Sequence, residues 1–206
     1  MRLNLLFLYL FTVLSITNVF ANPIESFDGF IWGTTKSEII EARGEDPIIW
    51  GDFEVWQAKD GENVSGFPIK LIGYEFKDGC GEINETRSSP CFLGGGAYLL
   101  ETTSTDDIAT LTGLLRGKYG KDRITHEVLK KRNPSDGFLY ANINSTRHIW
   151  ERADKSAIEL FYKSYDRDYV EKLNEVKKGV YRVGVRYYSS DYMKQTESTK
   201  PRKKSF

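Results

Sequence analysis

Tyr181-Arg182-Val183-Gly184-Val185-Arg186-Tyr187-Tyr188 is the stretch from which the fold reads most directly. In an extended chain successive side chains point to opposite faces. Tyr181, Val183, Val185 and Tyr187 therefore share one side, and Arg182, Gly184, Arg186 and Tyr188 share the other. The first set suits a core. The second mixes Arg with Tyr, the composition of a protein-binding surface. A strand of this kind needs partners, and its neighbours in sequence supply them. Residues 148–152 and 157–163 read as a hairpin about Asp154-Lys155. Further back, residues 53–58, 70–76 and 97–101 read as strands, the last approached through a flexible Gly94-Gly95-Gly96.

Helix signals punctuate these strands. Thr35-Lys36-Ser37-Glu38 is a capping box opening a helix that Gly44 closes. Asp106 and Asp107 favour the start of a second helix, with Ile108, Leu111, Leu115 and Tyr119 on one face and Gly120 as its stop. Asp168 and Glu171 predict a third, with Tyr169, Leu173 and Val176 as its apolar stripe and Gly179 as its end. The predicted class is α+β: an antiparallel sheet with two or three short helices packed on it. Gly44-Glu45-Asp46 and Gly120-Lys121-Asp122 end the first two helices alike, which suggests two similar helix–strand halves.

The first 21 residues have the form of a secretory signal: Arg2, then a short apolar run from Leu5 to Leu14, then Val19 and Ala21 at the −3 and −1 positions. The apolar run is about half the ~20 residues that a spanning helix needs. The expected organisation is a signal peptide over 1–21, one α+β domain over 22–192 and a basic, disordered tail over 193–206. The expected location is periplasmic or secreted. The body carries net negative charge, which argues against nucleic acid as a partner. Cys80 and Cys91 are the only cysteines, and in an oxidising compartment they most simply form one disulfide. Two thiols alone are half a zinc site, so neither metal nor cofactor is expected.

No catalytic motif stands out. His126 and His148 lack ligand or triad spacing. Carboxylates are plentiful, and Glu151 and Glu159 on neighbouring strands are a pair of the kind a glycosidase-like mechanism uses. A cross-strand charge ladder accounts for them more simply. The binding residues singled out are Arg182, Arg186 and Tyr188.

The opening from Phe27 through Trp32-Gly33-Thr34-Thr35 to Ile40 resembles the start of uncharacterised exported bacterial proteins, in which a Trp-Gly turn leads into a capped helix. More distantly, the helix-then-strands plan is similar to the small outer-membrane assembly lipoproteins and to β-lactamase inhibitory protein. Those resemblances imply a protein-binding role, without the lipid anchor, since no acceptor cysteine follows the signal. The expected function is an exported, non-catalytic protein that binds another envelope or secreted protein. The alternatives are a carboxylate-dependent envelope hydrolase, and an inhibitor or immunity protein against a secreted enzyme.

Overall fold

The structure is a computed structural model that describes residues 24–44, 47–50, 53–76, 91–132, 139–171 and 174–199. The signal segment, Cys80 and the basic residues from Lys200 onward lie outside the described residues. So do Leu173 and the predicted connection over residues 80–90.

The chain opens with a hairpin, β1 (Ser26–Phe27) and β2 (Phe30–Ile31), turned at Asp28-Gly29. Helix α1 (Lys36–Arg43) follows, and then β3 (Ile48–Trp50), β4 (Phe53–Gln57), β5 (Asn63–Val64), β6 (Phe67–Phe76) and β7 (Leu93–Leu100). Helix α2 (Thr105–Tyr119) leads into β8 (Arg123–Arg132), β9 (Leu139–Glu151) and β10 (Ala157–Tyr165). A small hairpin, β11 (Tyr169–Glu171) and β12 (Asn174–Val176), precedes β13 (Gly179–Tyr188) and helix α3 (Ser190–Thr199).

The main sheet is antiparallel throughout and runs β3-β4-β6-β7-β13-β10-β9-β8, with β5 paired onto β6. α1 with β3, β4, β6 and β7 fills one half, and α2 with β8, β9, β10 and β13 fills the other. Each set of strands steps inward from an edge, and the two meet where β7 pairs with β13. One sheet face packs on the helices. Trp56, Ile72, Leu160, Trp150, Val183 and Val185 from strands cluster with Ile39 of α1 and Ile108, Leu111 and Leu115 of α2.

Local chemistry explains the helices. Thr35 accepts from Glu38 N while Glu38 accepts from Thr35 N at 2.8 Å, the reciprocal capping box expected. Gly44, at φ 77°, supplies the left-handed residue that ends α1. Ser104 caps α2, accepting from Asp106 N and Asp107 N.

Three expectations are overturned. The class is not α+β: strand accounts for 55% and helix for 21%, so the fold is predominantly β. The third helix is the β11–β12 hairpin. Asp168 accepts from Lys178 N at 2.6 Å, across the base of that hairpin, and Tyr169 faces Val176 as a cross-strand partner. A polar cap and residues seven apart satisfy a helix pattern and a hairpin equally. Gly94-Gly95-Gly96 is not a loose approach to a strand but the buried interior of β7. A Cβ at Gly96 would lie 2.2 Å from the Phe27 ring, so glycine is what lets that ring lie on the sheet. Helix α3 ends the described chain at Thr199, with Ser189 accepting from Tyr192 N at 3.1 Å at its start.

Candidate binding face

Because facing residues in an antiparallel pair share a side, the register assigns each side chain a face. On the helix side, Tyr98 faces Val185, Val185 faces Leu160, and Leu160 faces His148. On the opposite side Arg186 faces Glu159 and Gly184 faces Phe161. One step along, Arg182 faces Lys163 on β10, Lys163 faces Ser145 on β9, and Ser145 faces Glu127 on β8. Arg147 of β9 faces Phe161. The face opposite α1 and α2 thus gathers four cations, Arg147, Lys163, Arg182 and Arg186, over three adjacent strands.

The cations are not evenly neutralised. The Arg186 guanidinium lies over the Phe161 ring at 4.7 Å and donates to the Tyr188 hydroxyl at 3.3 Å. Glu159 is buried, and its Oε1 lies 3.9 Å from Arg147 and 4.0 Å from Arg186 without a hydrogen bond to either. Arg147 also approaches Glu127 at 3.7 Å. Lys163 makes no ion pair and no side-chain hydrogen bond among the described residues. Burial and the positive charges of Arg182, Arg186 and Arg147 together hold its ammonium below the ordinary lysine value. Like charges directly opposite one another weaken a sheet, and Lys163 and Arg182 face each other in this way, with the Arg182 guanidinium 5.8 Å from the Tyr181 ring.

Ser145 adds a second irregularity. It is 3% exposed, and its hydroxyl has no hydrogen-bond partner among the described residues. Leaving a buried hydroxyl unpaired costs about 1–3 kcal/mol. It stands next to Lys163 in the same cross-strand row.

Aromatic residues close the β7 side. Tyr188 stacks on Tyr192 of α3 with ring centres 5.7 Å apart, and the Tyr192 hydroxyl donates to Glu75. Burial pushes the Tyr188 phenol up to about 12, against the opposing pull of Arg186. The structure therefore brings Arg182, Arg186 and Tyr188 onto one face, with Tyr188 half-buried beneath Tyr192 rather than standing free. Sequence reasoning missed Arg147, Lys163, Ser145 and Tyr192. Alternation along residues 157–163 already puts Lys163 on the side of Glu159 and Phe161; Arg147 and Ser145 need the length and register of β9.

Other candidates have structural partners. Glu151 pairs with Lys155 at 2.8 Å, and Glu159 is flanked by two guanidiniums, so neither carboxylate stands alone in a cleft with the other. His148 Nδ1 meets Asp122 at 2.6 Å, and Asp122 also accepts from Arg116 Nε at 2.7 Å. The Arg116 and His148 hydrogen bonds hold the Asp122 carboxyl well below the usual carboxylate range. This trio ties the end of α2 to β9, as does Trp150 Nε1 donating to Gly120 O at 2.9 Å. His126 Nδ1 lies 3.1 Å from Thr146 Oγ1. Asp106 and Asp107 occupy the first turn of α2. Under the β1–β2 hairpin, Asp28 binds Arg43 and the Tyr74 hydroxyl, and Arg43 Nε donates to Tyr74 at 2.9 Å. That network clamps the hairpin and α1 to β6. Among the described residues no three His, Cys, Asp or Glu side chains gather as a metal site.

Comparison with protein-family models, curated proteins and solved structures finds no match to this chain.

Proposed function

We propose that this is an exported, non-catalytic binding protein, and that a second envelope or secreted protein docks on the sheet face carrying Arg147, Lys163, Arg182, Arg186 and Tyr188. The observation that carries this reading is the facing pair Lys163–Arg182. A sheet whose cations oppose one another gives up stability, and a docked partner of opposite charge would restore it. Arg and Tyr are also the side chains most enriched where proteins bind proteins. Export rests on the signal-like first 21 residues. An inhibitor or immunity protein would be one form of the same role. The hydrolase alternative gains nothing from Glu151 and Glu159, each of which lies against a cation.

The test is site-specific photocrosslinking in living cells. A photoreactive residue at Leu129, exposed on β8 on the same face as Glu127, is compared with one at Ala109, on the exposed side of α2. A single adduct from position 129 and none from 109 is expected. The recovered protein should begin at Asn22. No adduct at 129, or equal adducts at both, would overturn the binding face. An intact leader in the recovered protein would overturn export.

A further inference from the structure

α1 and α2, whose side chains build the core, pack on one face of the sheet, and the partly exposed cations Arg147, Lys163 and Arg182 stand on the other, over β9, β10 and β13. There a cation with no ion pair, Lys163, lies between the facing Arg182 and the buried, unpartnered Ser145 hydroxyl. Arg147, half-exposed, stands diagonally across on β9. We infer that this arrangement is a subsite for a carboxylate from an acidic segment of the partner protein, held by Lys163 and Arg182 with the Ser145 hydroxyl as a further donor. The inference rests on the binding-face reading above and gives the partner its chemistry.

Four features favour this ligand. A hydroxyl donor and two cations in one cross-strand row suit a small oxyanion, which accepts from several donors at once. Glu127 and Glu159 border the cluster. Their charges would repel a dense polyanion such as a phosphorylated lipid surface, yet tolerate the spaced carboxylates of a peptide. The half-buried rings of Tyr188 and Tyr192, stacked on each other, suit a protein surface rather than a layer of headgroups. The low set of Lys163 fits a site that still waits for its counter-charge.

The closing experiment uses the protein recovered after expression with its own leader, labelled with nitrogen-15. A capped hexapeptide of alternating Glu and Tyr is titrated and followed by NMR. Its Gln counterpart, inorganic phosphate and phosphatidylglycerol vesicles are run at matched ionic strength. The expected result is a saturable shift centred on the amides of Ser145, Lys163 and Arg182, given by the Glu peptide alone. Lys163→Met keeps the aliphatic stem. It should weaken that binding about tenfold or more while raising the urea midpoint of the free protein. A purely structural lysine would lower the midpoint instead.

No saturable shift up to about 10 mM peptide, unchanged binding by Lys163→Met, or equal binding of phosphate or vesicles would each overturn the inference. A crosslinked partner at position 129 without peptide binding would sink the carboxylate subsite and spare the binding face. Peptide binding without any crosslinked partner would do the reverse.

Discussion

Gly96→Ala tests the packing that joins the first hairpin to the centre of the sheet. A Cβ built at Gly96 lies 2.2 Å from Cδ1, 2.3 Å from Cε1 and 2.7 Å from Cγ of Phe27. Carbon atoms pack best at about 3.5–4.0 Å, so the ring has to retreat by roughly 1.5 Å. It has little room to do so. Phe27 is 2% exposed and held by Tyr98 at 4.6 Å and Tyr74 at 5.4 Å between ring centres. Overpacking a core costs about 1–3 kcal/mol. Asp28, which binds Arg43 and Tyr74, follows Phe27 directly, so the displacement also strains that clamp. We expect the upper end, about 3 kcal/mol. That is a fall of about 6–12 °C in Tm for a chain of this size. Urea unfolding should show a lower midpoint at unchanged slope. In a Phe27→Ala background the same change should cost less than about 0.5 kcal/mol, because the obstruction is gone. A cost below about 0.5 kcal/mol in the native background, or equal costs in both, would refute the reasoning.

Three further outcomes follow from single groups. Thr35→Ala removes one half of the α1 capping box and should cost about 1 kcal/mol in urea unfolding, with Thr35→Ser close to native. Tyr188, raised to about 12 from an ordinary 10, keeps its contribution to stability below pH 10 and loses it as pH climbs towards 12. Absorbance titration of the native protein against Tyr188→Phe should show one fewer phenol ionising near pH 12, and a difference near pH 10 would refute the assignment. Thiol titration under denaturing conditions without reductant should find neither Cys80 nor Cys91 reactive, and two equivalents after reduction.

The central strand was legible because one face of it is apolar and the other is not. Val183 and Val185 lie in the core and Arg182 and Arg186 on the far side, and their period of two survives in the sequence. The start of α1 was legible because a capping box is a local device that needs only four residues. β8 was missed for the opposite reason. It is the outermost strand, exposed almost throughout, and Ile124, Val128 and Leu129 stand in solvent, so no alternation marks it. Its Arg123, Lys130, Lys131 and Arg132 are the charges that edge strands carry. The β11–β12 hairpin read as a helix because Tyr169 and Val176, seven apart, satisfy both geometries, and only a pairing partner separates them. The candidate site was half legible. Arg182, Arg186 and Tyr188 lie within one strand. Ser145 and Arg147 join them through register set 35–40 residues away in the chain, which no local pattern encodes.

The position of β13 has a consequence for how the chain can be made. It is the final strand in sequence, yet it sits in the middle of the sheet, hydrogen-bonded to β7 on one side and β10 on the other. Until residues 179–188 have emerged, the two half-sheets have no strand to join them, and each presents an open inner edge. Assembly must then wait for the C-terminal end of the chain, and the contacts that complete it are long-range, the kind that form slowly. The part already synthesised cannot lock into its final shape before the last segment arrives. The same arrangement makes the protein intolerant of C-terminal truncation. Loss of everything after Val176 would remove the keystone and leave two incomplete pieces rather than a shortened protein.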